Sequence, residues 1–484
     1  MKKILKIMAV FISTFLLIAG GMNVSAANTH SITINNSNTG HIYEAYQIFT
    51  GDLSADKATL SNIQWGSNID SSYTSGKTAR VIAGYIENGK AEDGTTARTA
   101  AEWATVIDGV LTGTPAGSTN TVVDGVYTIS GLADGYYLIK DKDNTLGGQN
   151  DAYTEFILRL VGDTEVAPKS GIPSATKLID EATDTSYSAQ YRVGDKVDFI
   201  LTGTMPSNYN SYSSYKYTLH DKLASGLTID TSSIKVYVGS TEITSGFTID
   251  ADPSDGDTFD VVFANTKTIN SINSNSEIIV KYSATVNNNA VIGSAGNSNE
   301  FKIDFSNNPN NPTETGTTTT AMVKVFLYNI IINKLDNNNA ALNGAKFKLE
   351  RLINQENNTW ETVSEIDGTN SNVFTFTGLG LGTYRLTETT TPDGYNTIDP
   401  VTIVVSGTVN NTGFTALGAT GLSFTTNLAN GTLTADIQNI PGSVLPFTGG
   451  IGTIIFTILG IALIAGGIII AVRKTSKKDN KGNK

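Results

Sequence analysis

There is no cysteine in the 484 residues, and there are only three histidines, His30, His41 and His220, scattered along the chain. Without cysteine no disulfide can form, so any covalent bracing must use other chemistry. No metal-ligand or nucleophile spacing stands out, no cofactor is implied, and a secreted enzyme is disfavoured. Charge is also scarce, at 16% of residues, with a formal balance of −12. Without the leader lysines and the basic tail, 24 Lys and Arg remain against 44 Asp and Glu, a balance near −20. That balance argues against nucleic acid or anionic lipid as a partner. What fills the chain instead is Thr, Ser, Asn and Gly, the profile of exposed β-domains with long polar loops.

Both ends carry apolar runs. Lys2, Lys3 and Lys6, the run Ile7 to Ala19 and then Val24-Ser25-Ala26 read as a secretory signal peptide over residues 1–26. At the other end stand Leu445-Pro446-Phe447-Thr448-Gly449, an uncharged run over 451–472 and a basic tail over 473–484. The run is 22 residues, roughly 33 Å as a helix, enough to cross a bilayer core. Arg473, Lys474, Lys477, Lys478, Lys481 and Lys484 place the tail in the cytoplasm and everything before Leu445 outside. These three parts in order resemble the sorting signal of Gram-positive surface proteins. The resemblance implies that a sortase cuts between Thr448 and Gly449 and passes the Thr448 carbonyl to an amine. The product is then a secreted, wall-anchored surface protein, held only transiently in the membrane.

Between the ends the pattern is mainly β. Residues 27–168 alternate as strands around Ser31–Ile34, Tyr43–Phe49, Gly125–Ile129, Tyr136–Ile139 and Phe156–Leu160, with helical stretches near Thr78–Tyr85 and Thr99–Leu111. Asp141-Lys142-Asp143-Asn144 reads as a solvated turn. Val166 to Pro173, with two prolines, reads as an extended connector. Residues 169–329 have strand spacing suited to an Ig-like sandwich. Within them, Asp250 to Gly256 has the start of a calcium loop. Its glycine is one place late and position twelve is Val261, so it reads as a turn. Asn307–Thr320 is low in complexity and is taken as a long loop inside this module. Residues 330–443 read as a smaller sandwich.

Strand alternation puts polar groups on inward faces. In the last module Lys334 shares a face with Ile330 and Ile332, Glu388 with Tyr384 and Leu386, and Asn439 with Leu433 and Ile437. Buried lone charges are costly. If the three meet, burial lowers an amine pKa and raises a carboxyl pKa. A neutral lysine can then attack the asparagine carbonyl while the acid shuttles protons, releasing ammonia. An ordinary Lys–Glu pair at a strand end is the competing reading of the spacing. In the middle module Lys177, Asp221 and Asn299 have the same parity, with Asn297 as a competing acceptor.

Lys334-Leu335-Asp336, Leu342 to Phe347 and the run Tyr384 to Tyr395, of the form Y-x-L-x-E-T-x-x-P-x-G-Y, resemble the Cna B-type domain of Gram-positive pilins. The middle module resembles the central domain of backbone pilins, where Asp takes the place of Glu. The resemblance implies isopeptides Lys334–Asn439, catalysed by Glu388, and Lys177–Asn299, catalysed by Asp221. No matching trio is found in the first module. Val166-Ala167-Pro168-Lys169 lies where the family's pilin motif presents the lysine that receives the next subunit's Thr448, with Ala where Tyr is usual.

The expectation is a tandem of Ig-like and Cna-type β-sandwiches behind a β-rich domain with short helices, ending in a membrane helix. It would serve as the backbone subunit of a covalent pilus. The expected partners are a pilin-polymerising sortase, a wall-anchoring sortase, identical subunits, ancillary pilins and peptidoglycan. A monomeric wall-anchored adhesin and a tip or base pilin share the sorting signal.

Overall fold

The computed structural model describes residues 29–55, 59–181, 184–442 and 451–478. The leader and Leu445–Gly449 lie outside the described residues. The described chain is mostly strand and falls into two compact units. The first comprises the chain to Ala189 with Val193–Ala290 and Asn297–Val325. The second comprises Gln190–Arg192, Val291–Gly296 and the chain from Phe326.

The N-terminal part of the first unit has two sheets. One is ordered Val122–Val123, Val126–Leu132, His30–Asn35, Thr164–Val166. The other is ordered Leu60–Trp65, Tyr43–Leu53, Gly135–Asp141, Glu155–Leu160. The period-2 pattern of Gly135–Asp141 explains the layering. Tyr137 and Ile139 pack with Ile32, Ile34 and Tyr127 between the sheets. Leu138 points the other way, where Ile82, Trp103 and Ile107 cover it from helices Ala79–Glu87 and Ala100–Asp108. The second helix starts at Thr99, whose Oγ1 accepts from Glu102 N (3.2 Å) while Glu102 Oε2 accepts from Thr99 N (2.7 Å).

The central part is a sandwich. One sheet contains Ala175–Glu181, Lys196–Thr204, Glu277–Val286 and Leu227–Val238 in that order. The other contains Ala321–Phe326, Asn297–Ser306, Tyr217–Leu223 and Phe259–Phe263. Val197, Phe199, Leu201, Val280, Phe301 and Ile303 fill the space between them. Residues 167–174 carry no regular structure.

Two expectations change. Asp141 is no solvated turn residue: it ends a strand, is 1% exposed, and accepts from Thr154 N at 2.8 Å. The 307–320 loop does belong with the central part, yet it is not a featureless polar run. Asn307 and Asn308 are buried, Asn307 Nδ2 donates to Leu146 O (2.9 Å), and Asn310 Nδ2 donates to Asp108 and Glu155 (2.7 Å each). The Asn307 and Asn310 side chains thus answer polar groups of the N-terminal part, which composition alone does not reveal.

The second unit holds a smaller sandwich. Its first sheet is Val373–Leu379, Tyr328–Leu335, Thr432–Gln438, Thr425–Asn427. Its second is Thr359–Asp367, Lys346–Asn354, Gly382–Thr390, Val401–Asn410, Gly413–Thr420. Phe326 and Tyr328 already pack in its core with Phe347, Phe374 and Leu386. The unit therefore begins ahead of the boundary placed after residue 329. Tyr328–Leu335 runs parallel to Thr432–Gln438, with Lys334 opposite Ile437. The first and last long strands are thus neighbours. The helix Ile451–Lys478 contains Thr453–Arg473, 21 residues long and apolar enough to cross a membrane.

Candidate covalent crosslinking sites

In the second unit, parallel pairing carries Lys334 and the residue two past Ile437 to the same end of the sheet. Lys334 and Asn439 are fully buried and Glu388 is 5% exposed. Lys334 Nζ donates to Asn439 Oδ1 and lies 3.8 Å from Glu388 Oε1. Asn439 Nδ2 donates to Glu388 Oε1 (3.0 Å) and Oε2 (3.3 Å), and Glu388 Oε2 also accepts from Ile398 N (3.0 Å). The acid comes from Gly382–Thr390 in the facing sheet. Burial lowers the Lys334 pKa, with Glu388 opposing it.

In the central sandwich the same three residue types meet between the sheets. Lys177 is on Ala175–Glu181 in one sheet, with Asp221 and Asn299 on paired strands of the other. All three are fully buried. Lys177 Nζ donates to Asp221 Oδ2 and to Asn299 Oδ1, and to Glu300 O at 3.2 Å. Burial pulls the Lys177 amine down to about 8 despite Asp221, and pushes the Asp221 carboxyl above its ordinary value. Asn297, the other candidate acceptor, is also buried, but its Nδ2 donates to Val325 O (3.2 Å).

Tyr282 was missed by sequence reasoning. Its hydroxyl donates to Asp221 Oδ1 (3.0 Å) and accepts from Asn299 Nδ2 (2.6 Å). The ring stacks on Phe199 (5.4 Å) and meets Phe259 edge-on (5.0 Å). Its inward parity with Ile278 and Val280 was readable; its hydroxyl's partners were not.

The N-terminal part also holds a buried lysine paired with two carboxylates, with a different balance. Lys140 Nζ is 2.6 Å from Asp108 Oδ1 and 3.3 Å from Asp143 Oδ2. Burial disfavours its charge, but the two carboxylates outweigh burial and its pKa rises. Such an amine stays protonated and non-nucleophilic.

Lys169 is exposed in the irregular 167–174 segment. Its backbone N–H donates to Thr154 Oγ1 (2.6 Å). Thr448 and its motif fall outside the described residues.

The sequence matches three protein families. Residues 193–309 match the Cna-B-like domain of Gram-positive pilin backbone subunit 2. Residues 328–416 match the SpaA prealbumin-like fold domain, and 438–481 the LPXTG cell wall anchor motif. The chain is also 24% identical to the trypsin-resistant surface T6 protein of Streptococcus pyogenes serotype M6, over 94% of this chain and 96% of that one.

This chain is a homologue of Gram-positive backbone pilins.

Its fold is also that of solved pilins. The T6 backbone pilin of Streptococcus pyogenes, described as a modular three-domain structure, matches at TM-score 0.54 and 17% identity, over 87% of this chain and 100% of that one. The full-length major pilin SpaD of Corynebacterium diphtheriae matches at 0.50 and 15%, over 86% and 98%. The anchor motif and the apolar helix after it make this a cell-wall-anchored surface protein, of a structural rather than an enzymatic family.

Proposed function

We propose that this pilin homologue is the repeating subunit of a covalent fibre, joined by Thr448–Lys169 amides and braced by internal Lys177–Asn299 and Lys334–Asn439 amides. The observation that carries the reading is the pair of buried Lys–Asn–acid trios, each tying an early strand to a late one.

Each internal bond forms when a neutral lysine Nζ attacks the asparagine Cγ. The Nζ–Cγ bond forms, the Cγ–Nδ2 bond breaks, and Nδ2 leaves as ammonia with a proton that originates on the amine. In the second unit Glu388 carries that proton, since both its oxygens already accept from the leaving Nδ2. In the central sandwich Asp221 faces the amine, and the Tyr282 hydroxyl bridges Asp221 to the leaving Nδ2. Tyr282 is therefore the proton relay at that site.

Between subunits, a polymerising sortase cleaves after Thr448 and holds its acyl group. Lys169 of the next copy resolves that intermediate, and a wall-anchoring sortase fixes the base to peptidoglycan. Lys169 suits the role because its side chain is exposed while its backbone is pinned to Thr154. Ancillary pilins are the further partners expected. The test is Lys169→Arg in producing cells. The variant should be displayed as single subunits, without the detergent-resistant high-mass ladder of the wild type. A ladder that survives the substitution would overturn the linkage.

A further inference from the structure

His220 and Asp221 are adjacent on Tyr217–Leu223, so they face opposite ways. Asp221 enters the crosslinking site. His220 turns to the outer face, directly across the strand pair from Asp260. The loop between Thr248–Asp250 and Phe259–Phe263 adds Asp255 and Asp257. His220 Nδ1 lies 2.9 Å from Asp260 Oδ1, 3.4 Å from Asp255 Oδ2 and 3.5 Å from Asp257 Oδ2. One ligand atom from each of the four residues falls within 4.8 Å of all the others.

A cluster of this kind could be an ion pair and no more. Hydrogen bonding argues against that. His220 is 9% and Asp260 7% exposed, yet neither ring nitrogen of His220, nor Asp260 Oδ1, nor Asp257 Oδ2 has a hydrogen-bond partner. An imidazolium among carboxylates would point its N–H groups at them. Three of these buried atoms, His220 Nδ1, Asp260 Oδ1 and Asp257 Oδ2, converge here at short range without the angles of hydrogen bonds, and each costs about 1–3 kcal/mol if left so.

We propose that His220, Asp255, Asp257 and Asp260 bind one divalent first-row metal ion of the zinc class. An ion about 2.0–2.2 Å from each ligand in tetrahedral geometry sets ligand atoms roughly 3.3–3.5 Å apart. Two of the distances from His220 Nδ1, 3.4 Å to Asp255 and 3.5 Å to Asp257, are of that size, and the 2.9 Å to Asp260 would open slightly around an ion. The imidazole favours zinc over calcium or magnesium, which take oxygen alone. Asp304 Oδ2 lies 3.4 Å from His220 Nε2, on the side where a second carboxylate would orient the ligating ring. A cavity of about 140 Å³ bordered by His220, Asp257 and Lys302 gives access. The site is not an EF-hand, because Val261 at position twelve is buried in the core. Its effect would be to clamp the 251–258 loop to the strand that carries Asp221.

The test uses the full chain, stripped with EDTA and titrated calorimetrically with zinc chloride and, separately, calcium chloride. One zinc per chain should bind, and zinc but not calcium should raise the melting temperature. His220→Ala and Asp260→Asn should each weaken zinc binding by at least about tenfold. Asp255→Asn, on a more exposed loop side chain, should do so with an unchanged circular dichroism spectrum and guards against a folding defect. Absence of stoichiometric zinc uptake, zinc binding indifferent to these substitutions, or calcium binding independent of His220 would each overturn the site.

Discussion

Three buried lysines among the described residues have different surroundings, and these set the charge each amine favours. Lys177 and Lys334 lose more to burial than their carboxylates return, so their amines are held below the ordinary value. Lys140 gains more from Asp108 and Asp143 than burial removes. We therefore expect two internal amides and none at Lys140. The intact mass should fall short of the sequence mass by two ammonia molecules. Glu388→Ala and Asp221→Ala should each restore one. Tyr282→Phe keeps the ring packing and removes the relay, so crosslinking of the central sandwich should slow by about tenfold, in line with loss of a buried hydrogen bond. A time course of intact mass after denaturation-free purification would read this, and a rate equal to the wild type would remove Tyr282 from the mechanism. The trios themselves were legible in the sequence because strand parity is: Lys334, Glu388 and Asn439 each fall in step with apolar neighbours. Tyr282 was not, because a tyrosine in an apolar rhythm looks like packing. His220 was not, because its acids come from a paired strand and a loop with no strict ligand spacing.

At the scale of elements, the alternating strands and the two helices of the N-terminal part were readable from the sequence, while the Thr99–Glu102 cap that starts the second is seen in the structure. The roles of Asn307 and Asn310 were not, since their partners Leu146 and Glu155 lie more than 150 residues away in sequence. The same long-range origin hides the role of Asp141. His41 Nδ1 pairs with Asp141 Oδ1 (2.8 Å) and Nε2 with Asp151 Oδ2 (3.0 Å). Burial alone would lower the His41 pKa, but these two bonds outweigh it and set the value at about 9, above the ordinary 6.5. A histidine raised in this way stabilises fully below 6.5, and the contribution is lost as pH rises through about 9. The N-terminal part should thus melt at lower temperature at pH 9.5 than at pH 6. Asp141 also accepts from Thr154 N, and Thr154 Oγ1 holds Lys169 N. Hydrogen exchange at the Lys169 amide should quicken over the same interval beyond the intrinsic pH effect. His41→Gln should flatten both dependences. Persistence of the full pH dependence in that variant would exclude His41 as its source.

Across the whole molecule, the proposed crosslinks would sit where load would pass. The Lys334 and Asn439 strands are parallel neighbours, so an amide there joins the entry and exit strands of one sheet. Lys177 and Asn299 stand 122 residues apart on two facing sheets, which an amide between them would join. By loop-closure entropy a link over such a span is worth about 5 kcal/mol. Asp221→Ala should lower the unfolding free energy of the central sandwich by that order. Limited trypsin digestion should open first the module whose amide is removed. The measurement that bears most directly on the fibre is mass mapping of protease-generated crosslinked peptides from the polymer on the cell surface. The account predicts a branched peptide in which the Thr448 carbonyl is bonded to the Lys169 amine. Thr448 joined to any other lysine, or only single-subunit bands after wall digestion in boiling detergent, would contradict it.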